Sequence, residues 1–158
     1  MPLTTEAPQF QWATSLVANE GAGPNARLRV RPQLTIGHWH GHVDQAARVA
    51  DKLVDNAVRH GKAFADGRIN LRMTILADTD ELLIEVEDAN PEFPNFEEVA
   101  NRAGEDSRPP TGLWWVAHYR GRMSWDIKKN QEDVAVGKIV QTILPTTWAV
   151  QATTGEGQ

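Results

Sequence analysis

The chain has 158 residues, 41% hydrophobic and 23% charged, which is enough for one domain with a real core and too short for two ordinary ones. Its net charge of -5 argues against a protein whose main work is neutralising nucleic-acid phosphates or coating an anionic membrane. There are no cysteines and no run of 18 apolar residues, so disulfides and thiolate metal sites are excluded and a soluble, cytoplasmic protein is expected.

Residues 1–25 are rich in Pro, Gly, Ala and Asn and suggest a loosely held arm, with a short strand around Phe10 to Trp12. The run Arg27 to Gln33 alternates and reads as a strand, with Pro32 marking its edge or end. From His42 to His60, Val43, Ala46, Ala47, Ala50, Leu53, Val54, Ala57 and Val58 recur at helical spacing, and Gly61 follows as a C-cap. The runs Ile69 to Ala77 and Glu81 to Asp88 flank the polar turn Asp78-Thr79-Asp80 and predict a β-hairpin. A short helix near Phe96 to Arg102, a loop over Gly104 to Gly112 and a helix over Gly112 to Arg120 come next. Two last strands, Arg122 to Ile127 and Val136 to Pro145, are separated by a charged turn. The order is α+β and predicts a two-layer sandwich, with helices on one face of a mixed, mainly antiparallel sheet. The expected domain spans residues 26–148, between the arm and a flexible tail over 149–158.

One polar residue interrupts the main helix. On a 100° wheel Asn56 lies roughly 120° from Ala50, on the shoulder that also carries Lys52, while Asp51 is roughly 140° and Asp55 about 100° away from it. Asn56 alone fits a half-exposed helix residue. Three histidines, His38, His40 and His42, alternate, but Gly37 and Gly41 interrupt them and no carboxylate accompanies them, so a polar loop is preferred to a metal cluster. Trp114 and Trp115 would point about 100° apart on a helix, one toward the core and the other toward the surface or a cleft.

The segment VADKLVDNAVRHG, from Val49 to Gly61, resembles the N-box helix of the GHKL superfamily (gyrase, Hsp90, histidine kinase, MutL), most closely the actinobacterial proteins similar to anti-sigma-factor serine kinases. IEVEDANPEFP resembles their adenine-reading strand and turn, TGLWWVAHYRGRMSWDI their phosphate segment, and VGKIVQTILP their closing strand. These motifs stand in the family's order over about Arg27 to Pro145.

The resemblance implies ATP and Mg²⁺ as ligands. It places the nucleotide against Asn56, His60, Asp88, Asn90, Pro91, Thr111, Gly112 and Leu113. Asn56 would supply an amide oxygen to Mg²⁺ shared with the phosphates. Asp88, an acceptor-only group, would take a hydrogen bond from the adenine amine and so disfavour guanine. Thr111 and Gly112 would offer backbone N–H groups at a helix start. The same resemblance implies a protein partner, a sigma factor or an anti-sigma antagonist, and allows a homodimer.

Departures from the family pattern shape the expected activity. The family's general-base glutamate is Lys52 here, and a protonated lysine cannot accept a proton from serine or water. The adenine turn, Asp88-Ala89-Asn90-Pro91-Glu92, has no glycine, and Pro110 stands where the phosphate loop commonly has one. The favoured reading is a regulatory ATP-binding module that binds a partner with little or no catalysis. Two alternatives stay open: an active serine kinase acting by in-line phosphoryl transfer, and an interaction domain that binds no nucleotide. Residues 93–110 are read as either a lid or a plain surface connection.

Overall fold

The computed structural model describes residues 8–94, 96–97 and 112–146. Its order is β1 (Phe10–Val17), α1 (Ala22–Ile36), α2 (Val43–His60), β2 (Arg68–Ile75), β3 (Leu82–Asp88), α3 (Trp114–His118), β4 (Arg122–Lys129) and β5 (Ala135–Leu144). The five strands form one sheet in the order β1-β2-β3-β5-β4, every neighbouring pair antiparallel. The helices cover one face, giving the α+β two-layer sandwich.

The strands place their apolar residues by period two. Ile69, Leu71, Met73 and Ile75 of β2, and Leu82, Ile84 and Val86 of β3, are all buried against the helices. On the opposite face Arg72 pairs with Glu85 and Lys128 with Glu87, as a solvent-facing sheet surface allows. Helix α2 supplies the other side of the core through Ala46, Ala47, Ala50, Leu53, Val54 and Ala57. Its helical period and its end at Gly61 are as expected from the sequence. Among the described residues, no helix is long and apolar enough to cross a membrane.

Two expectations at the N-terminal end are corrected. The run Arg27 to Gln33 is not a strand but the middle of α1. Its arginine alternation imitates period two, yet Ala22, Ala26, Val30 and Leu34 recur every four residues and are buried, and that stripe decides the outcome. Pro32 is tolerated because it lies on the exposed side, where the Leu28 carbonyl that it leaves without a backbone donor can be hydrated. The loosely held arm is likewise overturned from Phe10 onward: β1 pairs with β2 along its whole length, Phe10 to Ile75 through Val17 to Arg68. Within the stretch read as a short helix, Phe96 and Glu97 are helical, and residues 98–102 lie outside the described residues, as do residues 1–7 and the tail from 147.

The loop between α1 and α2 is anchored by Trp39, only 7% exposed, whose indole N–H donates to the Asp80 carbonyl at 2.8 Å. His42 is the N-cap of α2, its Nδ1 accepting from the Gln45 N–H. Among the described residues no cluster of His, Asp or Glu is arranged to hold a metal ion. Trp39→Phe leaves the Asp80 carbonyl without its donor, and should lower stability by about 1–3 kcal/mol in urea unfolding.

Candidate functional site

Helix α2 presents Arg48, Lys52 and Asn56 in one row, each a turn after the last, and all three are half-buried. The Arg48 guanidinium sits 4.3 Å from the centre of the Trp115 ring, so α3 docks on the same row. The two nearby carboxylates are turned away and engaged elsewhere: Asp51 is buried against α1 with Arg27 at 3.4 Å, and Asp55 pairs with Arg59 at 2.7 Å. A row of two cations and a neutral amide suits an anion better than it suits base catalysis. His60 closes α2 and is exposed.

At the end of β3, Asp88 is fully buried. Its Oδ1 accepts from the Asn90 N–H at 2.8 Å and from Lys138 Nζ at 3.1 Å; Lys138, itself 2% exposed, also donates to the Asn90 carbonyl at 3.2 Å. Asn90 repeats the device, its side chain accepting from the Glu92 N–H at 3.1 Å. These bonds fix the turn that carries Pro91 without any glycine. The Ala89 N–H donates to the Lys62 carbonyl at 2.7 Å and ties that turn to the segment following α2.

The second oxygen, Asp88 Oδ2, is buried and has no hydrogen-bond partner. It lies beside Gly61, where an added Cβ would come within 2.5 Å of it. Gly61 has an ordinary φ of -97°, so the glycine is required there by space and not by conformation. Because α2 rises about 1.5 Å per residue, Asn56 lies about 7.5 Å along the axis from Gly61. The same five residues turn the helix by roughly 140°, so the unpartnered oxygen lies at the C-terminal end of α2 and not on the face that carries the amide row. Phe93 packs beside the Asp88–Lys138 pair, with its ring 5.7 Å from Lys138 Nζ and 5.0 Å from that of Phe96, while Trp125 lies 6.1 Å from Phe93.

The segment that begins at Gly112, which the resemblance likens to a phosphate loop, differs from its sequence reading. Gly112 has φ +53°, a left-handed conformation that favours glycine, and the helix starts at Trp114 and lasts five residues. Gly112 is therefore in the turn before α3, and a single helical turn offers little macrodipole. Neither tryptophan enters the core: both are half-buried, and the segment's core residues are Leu113 and Val116. Trp114 stacks on His118 with ring centres 4.5 Å apart, and its indole nitrogen is buried without a hydrogen-bond partner. Thr111 and Pro110 lie outside the described residues.

Sequence reasoning missed Lys138, Arg48 and Gly137. A signal for Lys138 existed, since it is in phase with the inward residues Val140, Thr142 and Leu144 of β5 and a charge in that phase needs a buried partner. Gly137 stands where an added Cβ would lie 2.1 Å from the Asp88 carbonyl, which only the fold reveals. Comparison with known protein families finds no match for this chain, and comparison with curated proteins finds none either.

Proposed function

We propose that this protein is a regulatory ATP-binding module on a GHKL-like fold, which acts by nucleotide-dependent binding of a partner protein and transfers no phosphoryl group. The observation that carries this reading is the unpartnered Oδ2 of Asp88, a buried acceptor beside the helix that bears Asn56. A buried carboxylate oxygen without a donor is costly, and an exocyclic amine would supply one. Asn56 would give its amide oxygen to Mg²⁺ brought in by the phosphates, and Arg48 and Lys52, on the same row, would offset phosphate charge. The bound ion would supply charge neutralisation; the chain's own residues orient and hold the nucleotide.

The absence of catalysis follows from Lys52, with Asp51 and Asp55 both engaged in other ion pairs. Wild type should show no ATP hydrolysis above background, and Lys52→Glu should create a measurable rate in a phosphate-release assay. A hydrolysing wild type would favour the kinase reading. The partner would be of the sigma-factor or anti-sigma class on the strength of the resemblance alone, and the location cytoplasmic on that of a chain without cysteine or a run of 18 apolar residues.

One observation favours the reading as a nucleotide-free interaction domain: Lys138 already neutralises Asp88, and the pair is sealed from solvent. Thermal melts separate the two. Millimolar Mg-ATP should raise the midpoint, since a ligand bound only by the native state stabilises it, and Mg-GTP should raise it less. No shift with either nucleotide would favour the interaction domain.

A further inference from the structure

A cleft lies at the opposite end of α2 from Asp88. Gln45, which lines it, stands about 24 Å along the helix axis from Gly61, so the cleft is separate from the buried carboxylate. Its volume is about 210 Å³. Pockets that take a whole small-molecule ligand begin at roughly 300 Å³, so this one has the size for a single large side chain.

Three parts of the chain that are far apart in sequence build it. Trp39 of the α1–α2 loop, Ala46 of α2 and Leu144 of β5 are buried and make an apolar floor. Trp39 is held in place there. Its indole N–H is fixed on the Asp80 carbonyl, and the Gly41 backbone lies so close to its six-membered ring that an added Cβ would come within 2.3 Å. Tyr119 and Pro145 form walls, while His40 and Gln45 put polar groups at the rim. Water in such a hollow finds few partners on its floor. An aromatic ring with a polar tip suits it better, with its body on the apolar floor and its tip at the rim.

The chain supplies such a ring at close range. Strand β5 ends at Leu144, where Pro145 has no N–H to continue a ladder, and the next residue, Thr146, lines the cleft. Thr146 is the last described residue, and Trp148 stands two positions after it, within about 7 Å of extended chain. In residues 147–158, TWAVQATTGEGQ, Trp148 is the one aromatic, and most of its neighbours are small or polar.

We propose that this cleft is the seat of Trp148. The indole would lie against Trp39 and Tyr119, its N–H donated at the rim to Gln45 or His40. The segment that follows the last strand would then clasp the start of α2 and the loop before it. A tether of two residues gives an effective concentration of at least millimolar order, so the chain's own ring would exclude one brought by another molecule.

Nuclear magnetic resonance of the full chain tests this. In wild type the Trp148 ring protons should show Overhauser contacts to the Ala46 methyl group. Trp148→Ala should move the Gly41 and Gln45 amide signals and the Trp39 indole signal, while the Asn70 and Glu87 amides, on strands away from the cleft, stay in place. N-acetyltryptophanamide, added as a free ring, should saturate the same signals in Trp148→Ala and bind wild type at least tenfold more weakly. Trp148→Phe, which keeps a ring, should resist the probe as wild type does. Cleft signals unmoved by Trp148→Ala would overturn the proposal. Equal binding of the probe to wild type and Trp148→Ala would also overturn it, and would mark the cleft as open to a ring from another protein. Overhauser contacts that vanish on dilution would overturn it too, since a second copy would then be the source of the ring.

Discussion

Lys138→Met is expected to lower the free energy of unfolding by about 3–5 kcal/mol, the largest effect of any single polar substitution in this chain. The reason is the company that it leaves. Asp88 is fully buried, its Oδ2 already lacks a partner, and the ammonium is the only cation bonded to it among the described residues. Without Lys138 a buried carboxylate would keep only the Asn90 N–H. Removing both charges is a different matter, because a neutral pair of similar shape demands no desolvation of ions. Asp88→Asn/Lys138→Met should recover most of the loss, and the two urea curves, compared at equal slope, would show it. A single variant as stable as wild type would mean that the pair is not the buried one described here.

Gly137→Ala should be nearly as damaging, at about 3 kcal/mol. The added methyl would lie 2.1 Å from the Asp88 carbonyl oxygen and 3.2 Å from the Ala89 Cα, and both are backbone atoms that cannot swing aside. Strands β3 and β5 would have to part where Asp88 pairs with Lys138. Gly21→Ala is the matching control, since its methyl would meet nothing closer than the Asn19 side chain at 3.4 Å. Thermal unfolding of the two should therefore differ clearly, Gly21→Ala staying near wild type. On the proposed function, the same Gly137 variant should also weaken nucleotide binding, because the carboxylate would move with its strand.

How much of this was legible beforehand depends on the kind of signal. Helix α2 and the β2–β3 hairpin announce themselves because their apolar residues keep one period over a full element. Helix α1 does not, because its arginines fall at alternate positions and mask a four-residue alanine and leucine stripe; period two and period four overlap over seven residues. Strand β1 is hard to read because it sits in a segment whose flanking Pro and Gly suggest looseness, and its pairing to β2 is a non-local fact. The resemblance points to Asn56, Lys52 and Asp88 through their order along the chain. Lys138 could be paired with Asp88 only once β5 was placed beside β3, fifty residues apart in sequence. Gly61 reads in the sequence as a helix end, and the fold adds that an added Cβ there would meet the Asp88 carboxylate at 2.5 Å.

On the proposed function, Asp88 would read a purine amine while α2 holds the phosphates. Isothermal titration with Mg-ATP and Mg-GTP tests it most directly, on wild type and on Asp88→Asn/Lys138→Met, the variant designed to stay folded. Wild type should bind ATP saturably and GTP at least tenfold more weakly, and the double variant should lose the preference for ATP. No heat with either nucleotide, or an unchanged preference after Asp88 is replaced, would contradict it.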